Sequence, residues 1–210
     1  MTVEGLARIL ETVRCRRGFE LSTALLYWGI MFQTYEGILP KPFCEHLIRR
    51  FDAAAEKDRS HEMFDQLELT PAEDWSQETA VILETVKRAT ADYAHYYDPH
   101  NMMPTQRRIE TCRIKRYEPH KHRFPLHADA ANYQSCTRYL AFLFYLNDSE
   151  AGTHFYGARG TEGWRVDATQ GTLLIFPPMW MFPHEGLMPT THPKYILSTY
   201  FHFAPPPAHS

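Results

Sequence analysis

Two residues that can bind a metal ion, His127 and Asp129, are separated by a single residue in the segment LHADA at 126–130. On a β-strand, residues i and i+2 point to the same face, so this spacing would aim an imidazole and a carboxylate at one point. The pair could hold a metal ion, or it could be an ordinary hydrogen-bonded polar pair. Since the chain has 12 histidines, a His-x-Asp pattern can easily arise by chance and decides nothing alone.

A second histidine and a lysine further along the chain could complete such a site. His184 would add a second imidazole, and two imidazoles with one carboxylate form the facial triad that is typical of non-haem Fe(II) oxygenases. Lys194 begins the otherwise apolar segment KYILSTYFHF at 194–203, where an inward ammonium without a partner would be costly. We therefore expect Lys194 to meet a bound carboxylate, although a lysine at a strand end can also extend to solvent. Ser198 would share its strand face and could donate a hydrogen bond.

Two tyrosines and a further histidine pair also need an interpretation. Tyr117 and Tyr145 could direct their hydroxyl groups into the same cavity, or they could be ordinary core aromatics. The segment His120-Lys121-His122 offers a competing metal pair of the cupin kind. No suitably placed glutamate follows it soon after, so we interpret it as a loop. The remaining histidines are interpreted as surface residues or hydrogen-bonded core residues.

Composition and charge are those of an ordinary globular protein. The 210 residues carry a formal net charge of -3 without a long Lys/Arg block, so we expect no nucleic-acid partner. No apolar run approaches the ~20 residues of a membrane span, and the N-terminus lacks a signal-type core, so no membrane partner is expected. The four cysteines form no CxxC pair, which favours reduced thiols and a cytoplasmic location.

The first part of the chain, residues 1–105, is predicted to be a mostly helical support region. Pro42 suits a first helical turn, and a second helix should run from about Ser76 until Asp98-Pro99 stops it. One short strand is predicted at 30–37, and residues 58–75 are predicted to be an exposed loop. The positions that should face the core are Phe43, Leu47, Phe51 and Ala55 in the first helix, and Ile82, Val86, Ala89, Tyr93 and Tyr96 in the second.

From residue 106 the pattern changes to short β-rich segments separated by turn residues, up to a tail at 205–210. The predicted strands are TCRIKRY, RYLAFLFYL, THFYG, WRVDA, TLLIF and KYILSTYFHF. The second of these is nearly all apolar, as expected for a strand covered on both faces. The predicted fold is therefore α+β and mainly β. A helical layer packs on an antiparallel sandwich or barrel at 106–204, within a single domain of residues 1–210.

Residues 110–203 resemble a known enzyme family. The segments KRYEPHKHRFPLHAD, RYLAFLFYLND, AGTHF, GTLLIFPPMWMFPHEG and KYILSTYFHF are similar to the Fe(II)- and 2-oxoglutarate-dependent oxygenases of the prolyl 4-hydroxylase type. The earlier segment TYEGILPKPFCEHLIRRF resembles, more loosely, the strand and helix that open such domains. The resemblance implies a double-stranded β-helix, a jelly-roll or cupin-like barrel with the metal at its open end.

The resemblance also implies roles for the candidate residues. The catalytic Fe(II) ligands would be His127, Asp129 and His184. The residues that bind 2-oxoglutarate would be Lys194, which pairs with the distal carboxylate, and Tyr117, Tyr145 and Ser198. Such enzymes use O2 to convert 2-oxoglutarate to succinate and CO2 while they hydroxylate an unactivated C–H bond, and relatives often need ascorbate. The protein positions and shields this chemistry.

Two positions depart from the family pattern. Many relatives have glycine where this chain has His120, and we therefore predict that this loop avoids a glycine-only conformation. The turn that relatives write with two glycines reads Ala151-Gly152-Thr153, which is a mild change. Substrate contacts should come from loops around the barrel mouth. The candidates are Arg123, Tyr133 and Trp180, of which Trp180 could equally be barrel packing.

Three functions fit these observations. The first is hydroxylation of a peptidyl residue, prolyl by resemblance, and the second is the same chemistry on a free amino acid or small metabolite. A deep closed pocket would favour the small substrate, and an open groove beside the iron would favour a peptide. The third is a barrel that binds a metal or ligand without turnover. A protein with this function would form no succinate, which distinguishes it from the first two.

Overall fold

The structure, a computed structural model, describes residues 31–55, 62–70, 74–157 and 163–204. Within these ranges the helices are α1 (Lys41–Ala53) and α2 (Ser76–Tyr97). The strands are β1 (Gln33–Tyr35), β2 (Asp65–Glu68), β3 (Arg107–Ile109), β4 (Arg113–Tyr117), β5 (Phe124–His127), β6 (Arg138–Tyr145), β7 (Ser149–Tyr156), β8 (Gly163–Ala168), β9 (Leu173–Phe176), β10 (His184–Gly186) and β11 (Lys194–Phe203). The predictions for residues 1–30 and for the tail at 205–210 lie outside the described residues.

The strands form two antiparallel sheets. The larger has seven strands in the order β1-β9-β6-β11-β4-β2, with β3 also paired to β11, and the smaller has four in the order β5-β10-β7-β8. Tyr145 and Ile196 of the larger sheet share one buried cluster with Phe155 and Val166 of the smaller sheet. The two sheets therefore face each other across a common interior. This arrangement confirms the predicted fold class, a mainly β, double-stranded β-helix with helices packed on it.

The outer face of the larger sheet carries the main hydrophobic core. Because side chains alternate along a strand, Leu197 and Phe201 of β11 join this core, together with apolar residues of both helices. Two predicted core positions are wrong. Ala55 lies beyond the end of α1 and is exposed, and Tyr96 is 59% exposed. The other predicted positions of the two helices are buried: Phe43, Leu47, Phe51, Ile82, Val86, Ala89 and Tyr93.

The strands of the second half lie close to their predicted positions. β11 covers the ten predicted residues, and β6 begins at the predicted residue. β6 lies between β9 and β11, and six of its eight residues are buried, as its apolar sequence predicted. The sequence did not predict the short strands β3, β5 and β10, because three or four residues are too few to show an alternation pattern.

The segment 58–75 contains a strand, so the prediction of an exposed loop is wrong. β2 pairs with β4, and Asp65 lies opposite Arg116 with its carboxylate 2.6 Å from the guanidinium. Leu67, on the same strand, is 4% exposed. The charged residues concealed this strand because they pair with arginines of the neighbouring strand, and such cross-strand pairs stabilise a sheet.

His120, which replaces the glycine of many relatives, lies in a left-handed backbone conformation. Its φ is +57°, which is the left-handed region that favours glycine, although histidine is among the residues enriched there. The backbone N–H of His120 donates to the carbonyl of Pro189 at 2.9 Å. The loop therefore has a conformation that favours glycine without being restricted to it, which is compatible with the prediction. Gly152 is a different case, since a Cβ there would lie 2.0 Å from the carbonyl oxygen of Val166.

The described residues also bear on the expectations about membrane spans and about the state of the cysteines. Neither of their helices is both long and apolar enough to cross a membrane. Among their cysteines, Cys44 and Cys112 are buried free thiols and Cys136 is an exposed one.

Candidate metal centre

Two short strands of the smaller sheet bring the candidate histidines together. β5 and β10 are antiparallel neighbours, and His184 lies directly opposite His127. Opposite residues of an antiparallel pair share a face, and the two imidazole centroids are 4.3 Å apart. Asp129 lies beyond the end of β5. The turn after β5 therefore places the Asp129 carboxylate next to the two histidines. The i, i+2 alternation of a strand, which first suggested the pair, does not apply here.

The three side chains converge on one point. Each offers a metal-binding atom, and these atoms lie within 4.8 Å of one another. His127 Nε2 is 3.3 Å from one carboxylate oxygen of Asp129, and His184 Nε2 is 3.4 Å from the other. Among the residues that the structure describes, this is the one group of three or more His, Cys, Asp or Glu side chains with such geometry. The competing segment 120–122 is not part of it.

The backbone orients both imidazoles toward this point. His127 Nδ1 lies 2.8 Å from the carbonyl oxygen of Pro125, and His184 Nδ1 lies 3.1 Å from that of Phe182. A neutral imidazole that donates its Nδ1–H to a carbonyl keeps a lone pair on Nε2, as metal-binding histidines do. His127 Nε2 is buried and makes no hydrogen bond with any described residue. Two imidazoles and one carboxylate in this arrangement fit Fe(II).

Two side chains of the larger sheet hold Asp129 in place. The Tyr200 hydroxyl donates to the carboxylate Oδ1 at 3.1 Å, and Arg138 Nη1 donates to the backbone carbonyl of Asp129 at 3.0 Å. The Arg138 guanidinium also lies 4.0 Å from the centroid of the Tyr200 ring. Burial alone would raise the pKa of Asp129, but the two neighbouring histidines hold it well below its usual range. The carboxylate is therefore ionised, as a metal ligand must be.

A cavity lined by all three residues of this cluster is also lined by Lys194. Lys194 is 1% exposed, so the alternative in which it extends to solvent is wrong. Its ammonium donates to the carbonyl oxygens of Leu187 at 2.6 Å and Gly152 at 3.4 Å, and it forms no ion pair with a described carboxylate. Burial lowers the pKa of Lys194 to about 7. A buried ammonium of this kind is suited to a carboxylate that arrives with a ligand.

Of the other predicted cosubstrate residues, Tyr117 and Ser198 line the same cavity and Tyr145 does not. The Tyr117 ring centroid is 4.4 Å from the Lys194 ammonium. Ser198 Oγ is buried and has no hydrogen-bond partner among the described residues, so a ligand oxygen could satisfy it. The Tyr145 hydroxyl donates to Thr153 Oγ1 at 2.8 Å, and Thr153 lines the cavity. Tyr145 therefore reaches the cavity only indirectly, through its hydrogen bond to Thr153, the last residue of the Ala151-Gly152-Thr153 turn.

The three candidate substrate residues lie at the surface and do not line the cavity. Tyr133 is 91% exposed, Trp180 is 77% exposed, and Arg123 is also exposed. The alternative that Trp180 is barrel packing is therefore wrong. The backbone N–H of Ala130 donates to the carbonyl of Pro178 at 2.9 Å. This bond joins the segment that carries Tyr133 to the segment that carries Trp180, next to the metal-binding cluster.

Sequence reasoning missed three residues of the site: Tyr200, Arg138 and Lys115. Tyr200 and Lys115 line the cavity. The alternation pattern could have identified both, because Tyr200 lies two residues after Ser198 on β11 and Lys115 lies two residues before Tyr117 on β4. Arg138 gave no such signal, because its contact with Asp129 depends on how distant segments pack.

Comparison with known proteins agrees with this geometry. The sequence model described as the 2OG-Fe(II) oxygenase superfamily matches residues 112–202, a range that contains the metal-binding cluster, Lys194 and Ser198. This family implies Fe(II), 2-oxoglutarate (2OG) and O2. No curated protein sequence matches the chain.

Solved structures of prolyl hydroxylases share the fold. A prolyl-4-hydroxylase from Pseudomonas putida has a TM-score of 0.64 and 16% identity, over 95% of this chain and 100% of that chain. A Trichoplax adhaerens prolyl hydroxylase, solved with a peptide fragment of the hypoxia inducible factor oxygen degradation domain, has a TM-score of 0.68 and 12% identity, over 97% and 94%. The viral collagen prolyl hydroxylase from Paramecium Bursaria Chlorella virus-1, in its 2OG complex, has a TM-score of 0.60 and 16% identity, over 86% and 99%.

At these identities, the structural similarity shows the fold, and the family match adds the enzyme class. The predicted class of 2OG-dependent Fe(II) dioxygenase is confirmed. Residues 112–202 therefore match the 2OG-Fe(II) oxygenase superfamily, and the chain has a fold of the prolyl 4-hydroxylase type.

Proposed function

We propose that this chain hydroxylates an unactivated C–H bond of a prolyl-like residue in a peptide or protein, with release of succinate and CO2. One observation carries the proposal. A single cavity is lined by a His-Asp-His cluster and by a buried lysine, Lys194, that has no carboxylate partner among the described residues. A dicarboxylate that binds a metal through one end would satisfy both ends of this cavity.

At the metal end, His127, Asp129 and His184 would hold Fe(II). The iron, when bound with 2-oxoglutarate and O2, supplies the oxidising chemistry of the reaction. The chain contributes orientation. The carbonyls of Pro125 and Phe182 fix the imidazole rings, and Tyr200 holds the carboxylate. Such supporting contacts set ligand orientation and basicity in metal sites.

At the other end, Lys194 would bind the distal carboxylate of 2-oxoglutarate. The ammonium already donates to two backbone carbonyls, which fix its position and leave its charge without a counter-ion. Ser198 Oγ, which lacks a partner among the described residues, could donate a further hydrogen bond. Tyr117 covers the ammonium with its ring and would line the bound cosubstrate.

Exposed apolar side chains near the metal-binding cluster favour a peptide over a small metabolite. Leu126 is 56% exposed, Trp180 is 77% exposed and Met181 is 49% exposed, and all three lie within four residues of His127 or His184 in the sequence. Tyr133 is exposed on the adjoining segment. Exposed apolar clusters of this kind mark surfaces that bind partners. The Trichoplax relative, a prolyl hydroxylase, was solved with a peptide fragment, which supports the same choice.

The test is a substrate screen with the Fe(II)-loaded protein. Prolyl-containing peptides, matched peptides with alanine in place of proline, and free amino acids are incubated with 2-oxoglutarate, O2 and ascorbate as reductant. Mass spectrometry then detects the addition of a single oxygen atom. We expect a prolyl peptide to gain oxygen and to stimulate succinate formation. Oxygen added only to a free amino acid would instead support the small-metabolite function, and a protein that forms no succinate with any substrate would support a non-catalytic barrel.

A further inference from the structure

A second lysine, Lys115, lies on the inner face of the cavity. It is on β4, directly opposite Ile196 of β11, and Tyr117 lies opposite Lys194 two residues further along. Opposite residues share a face, and two residues along a strand are about 7 Å apart. Lys115 is 7% exposed and lines the same cavity as the metal-binding cluster. The cavity therefore contains two buried lysines at different depths.

Lys115 has aromatic neighbours and forms no ion pair with a carboxylate of the described residues. Its ammonium lies 4.8 Å from the ring centroid of Phe64 and 5.4 Å from that of Phe124. It forms no hydrogen bond or ion pair with a described residue. Phe124 stacks on His127 with the ring centroids 3.5 Å apart. The ammonium is therefore held next to the metal-binding cluster, on the side of the cavity away from Lys194.

A charged side chain in this position is costly for the fold. Burial lowers the pKa of Lys115 to about 8, while the negative charge of Asp129 acts in the opposite direction. An apolar side chain of similar length would pack against Phe64 and Phe124 without the desolvation penalty of an ammonium. The lysine is thus better explained by a ligand than by packing.

The balance of charges in the cavity indicates that this ligand is negatively charged. Fe(II) brings two positive charges, Lys194 and Lys115 bring one each, and Asp129 removes one. A bound 2-oxoglutarate dianion would leave a net charge of one positive unit in the cavity as a whole. Among the described residues, the carboxylate that lines the cavity is that of Asp129, which the two histidines and Tyr200 already engage.

We propose that Lys115 binds a carboxylate on the metal side of the cavity, separate from the distal carboxylate that Lys194 would hold. The carboxylate can come from the metal-binding end of 2-oxoglutarate or from an acidic group of the substrate next to the hydroxylated carbon. In either case Lys115 is a second specificity-determining cation of the site. This inference rests on the proposed function, because it requires that 2-oxoglutarate occupies the cavity.

The test uses calorimetry on the full chain loaded with Mn(II) in the absence of O2, so that no turnover occurs. Wild type is compared with Lys115→Met, which keeps the length of the side chain and removes the charge. Lys87→Met is the matched control, because the Lys87 side chain is 76% exposed on α2. The ligands are 2-oxoglutarate alone and then, at saturating 2-oxoglutarate, the carboxylate N-acetylproline and its neutral amide. Thermal unfolding without ligand checks the fold, and Lys115→Met should be at least as stable as wild type.

Each outcome decides the inference. A Kd for 2-oxoglutarate that rises roughly 10-fold to 100-fold in Lys115→Met, the range expected for a charge-assisted hydrogen bond, supports the cosubstrate as the source. An unchanged Kd, with a preference for N-acetylproline over its amide that Lys115→Met removes, supports the substrate as the source. The inference is overturned if Lys115→Met binds 2-oxoglutarate like wild type and wild type shows no preference that depends on Lys115. A wild-type protein that binds no 2-oxoglutarate would contradict the proposed function itself as well.

Discussion

The two faces of β11 differ in chemistry although they belong to the same ten residues. On the outer face, Tyr195, Leu197 and Phe201 pack into the core that includes both helices. On the inner face, Lys194, Ser198 and Tyr200 line the cavity. A shift of a single residue in register would move every one of these side chains to the opposite face, because side chains alternate with a period of two.

The difference shows how one strand separates stability from chemistry. The outer residues are apolar and have apolar neighbours, so they contribute through burial. The inner face includes a buried ammonium without a carboxylate partner and a buried hydroxyl without a hydrogen-bond partner among the described residues. Such groups cost stability unless a ligand satisfies them. Substitutions on the two faces should therefore separate cleanly into effects on folding and effects on binding.

The largest effect is expected at the metal-binding cluster. His184→Ala should reduce Fe(II)-dependent conversion of 2-oxoglutarate to succinate to background, because it removes one of the three metal ligands. The fold should survive, since the outer core is untouched. Succinate formation and thermal unfolding are measured side by side, with His100→Ala at an exposed position as control. Full activity in His184→Ala would exclude this histidine as a ligand.

Adjacent positions on β11 provide a matched comparison of the two faces. Leu197, on the outer face, is 0% exposed, and Leu197→Ala should lower the free energy of unfolding by about 2–5 kcal/mol through lost burial and a cavity. Ser198→Ala on the inner face should cost less than about 1 kcal/mol, because its hydroxyl has no partner among the described residues. Urea unfolding measures both. Equal losses of stability would contradict the division between the faces.

Removal of the deep ammonium should affect binding and leave folding intact. Lys194→Met should raise the Kd for 2-oxoglutarate by roughly 10-fold to 100-fold, because a charge-assisted hydrogen bond is lost. Calorimetry with the Mn(II)-loaded protein gives the Kd, and Lys121→Met, at an exposed lysine, is the control. Unchanged affinity in Lys194→Met would refute the role assigned to this residue.

A smaller effect is expected from the tyrosine that supports the metal ligand. Tyr200→Phe removes the hydroxyl that donates to Asp129 at 3.1 Å, and such supporting contacts change metal affinity by about 10-fold. A competition titration with a metal chelator gives the Fe(II) affinity. Tyr139→Phe is the matched control, since its hydroxyl is buried without a partner among the described residues. Equal metal affinity in both variants would show that Tyr200 does not position the carboxylate.

The smallest predicted effect concerns pH. The pKa of Lys115 is lowered to about 8 from 10.5, so between these values the folded state binds fewer protons than the unfolded state. The ligand-free protein should therefore gain stability as pH rises. The Lys115 contribution between pH 7 and pH 9 is about 1 kcal/mol. Urea unfolding of wild type and Lys115→Met at both pH values measures it, and a difference that stays constant with pH would show that Lys115 is not desolvated.

The fold and the metal-binding residues could be predicted largely from sequence, and the rest depended on packing. β11 and β6 were predictable because long apolar or alternating segments leave few alternatives. β2 was missed because Asp65 pairs with an arginine that is distant in sequence. The contact between Arg138 and Asp129 was missed for a related reason, since the turn that carries Asp129 is positioned by the assembled barrel. The positive φ of His120 was not predicted, because the sequence shows only that the glycine of relatives is replaced and not which conformation the loop takes.

We expect one cavity to hold Fe(II) at the His-Asp-His cluster and 2-oxoglutarate between that metal and Lys194. The most direct test is anaerobic equilibrium dialysis of Fe(II) and 2-oxoglutarate, together and separately, against wild type and Asp129→Ala. Wild type should bind one Fe(II) per chain, and 2-oxoglutarate should bind much more tightly with the metal than without it. Asp129→Ala should lose both the metal and this dependence. Binding of 2-oxoglutarate that is equally tight without Fe(II), or Fe(II) binding that survives in Asp129→Ala, would contradict the account.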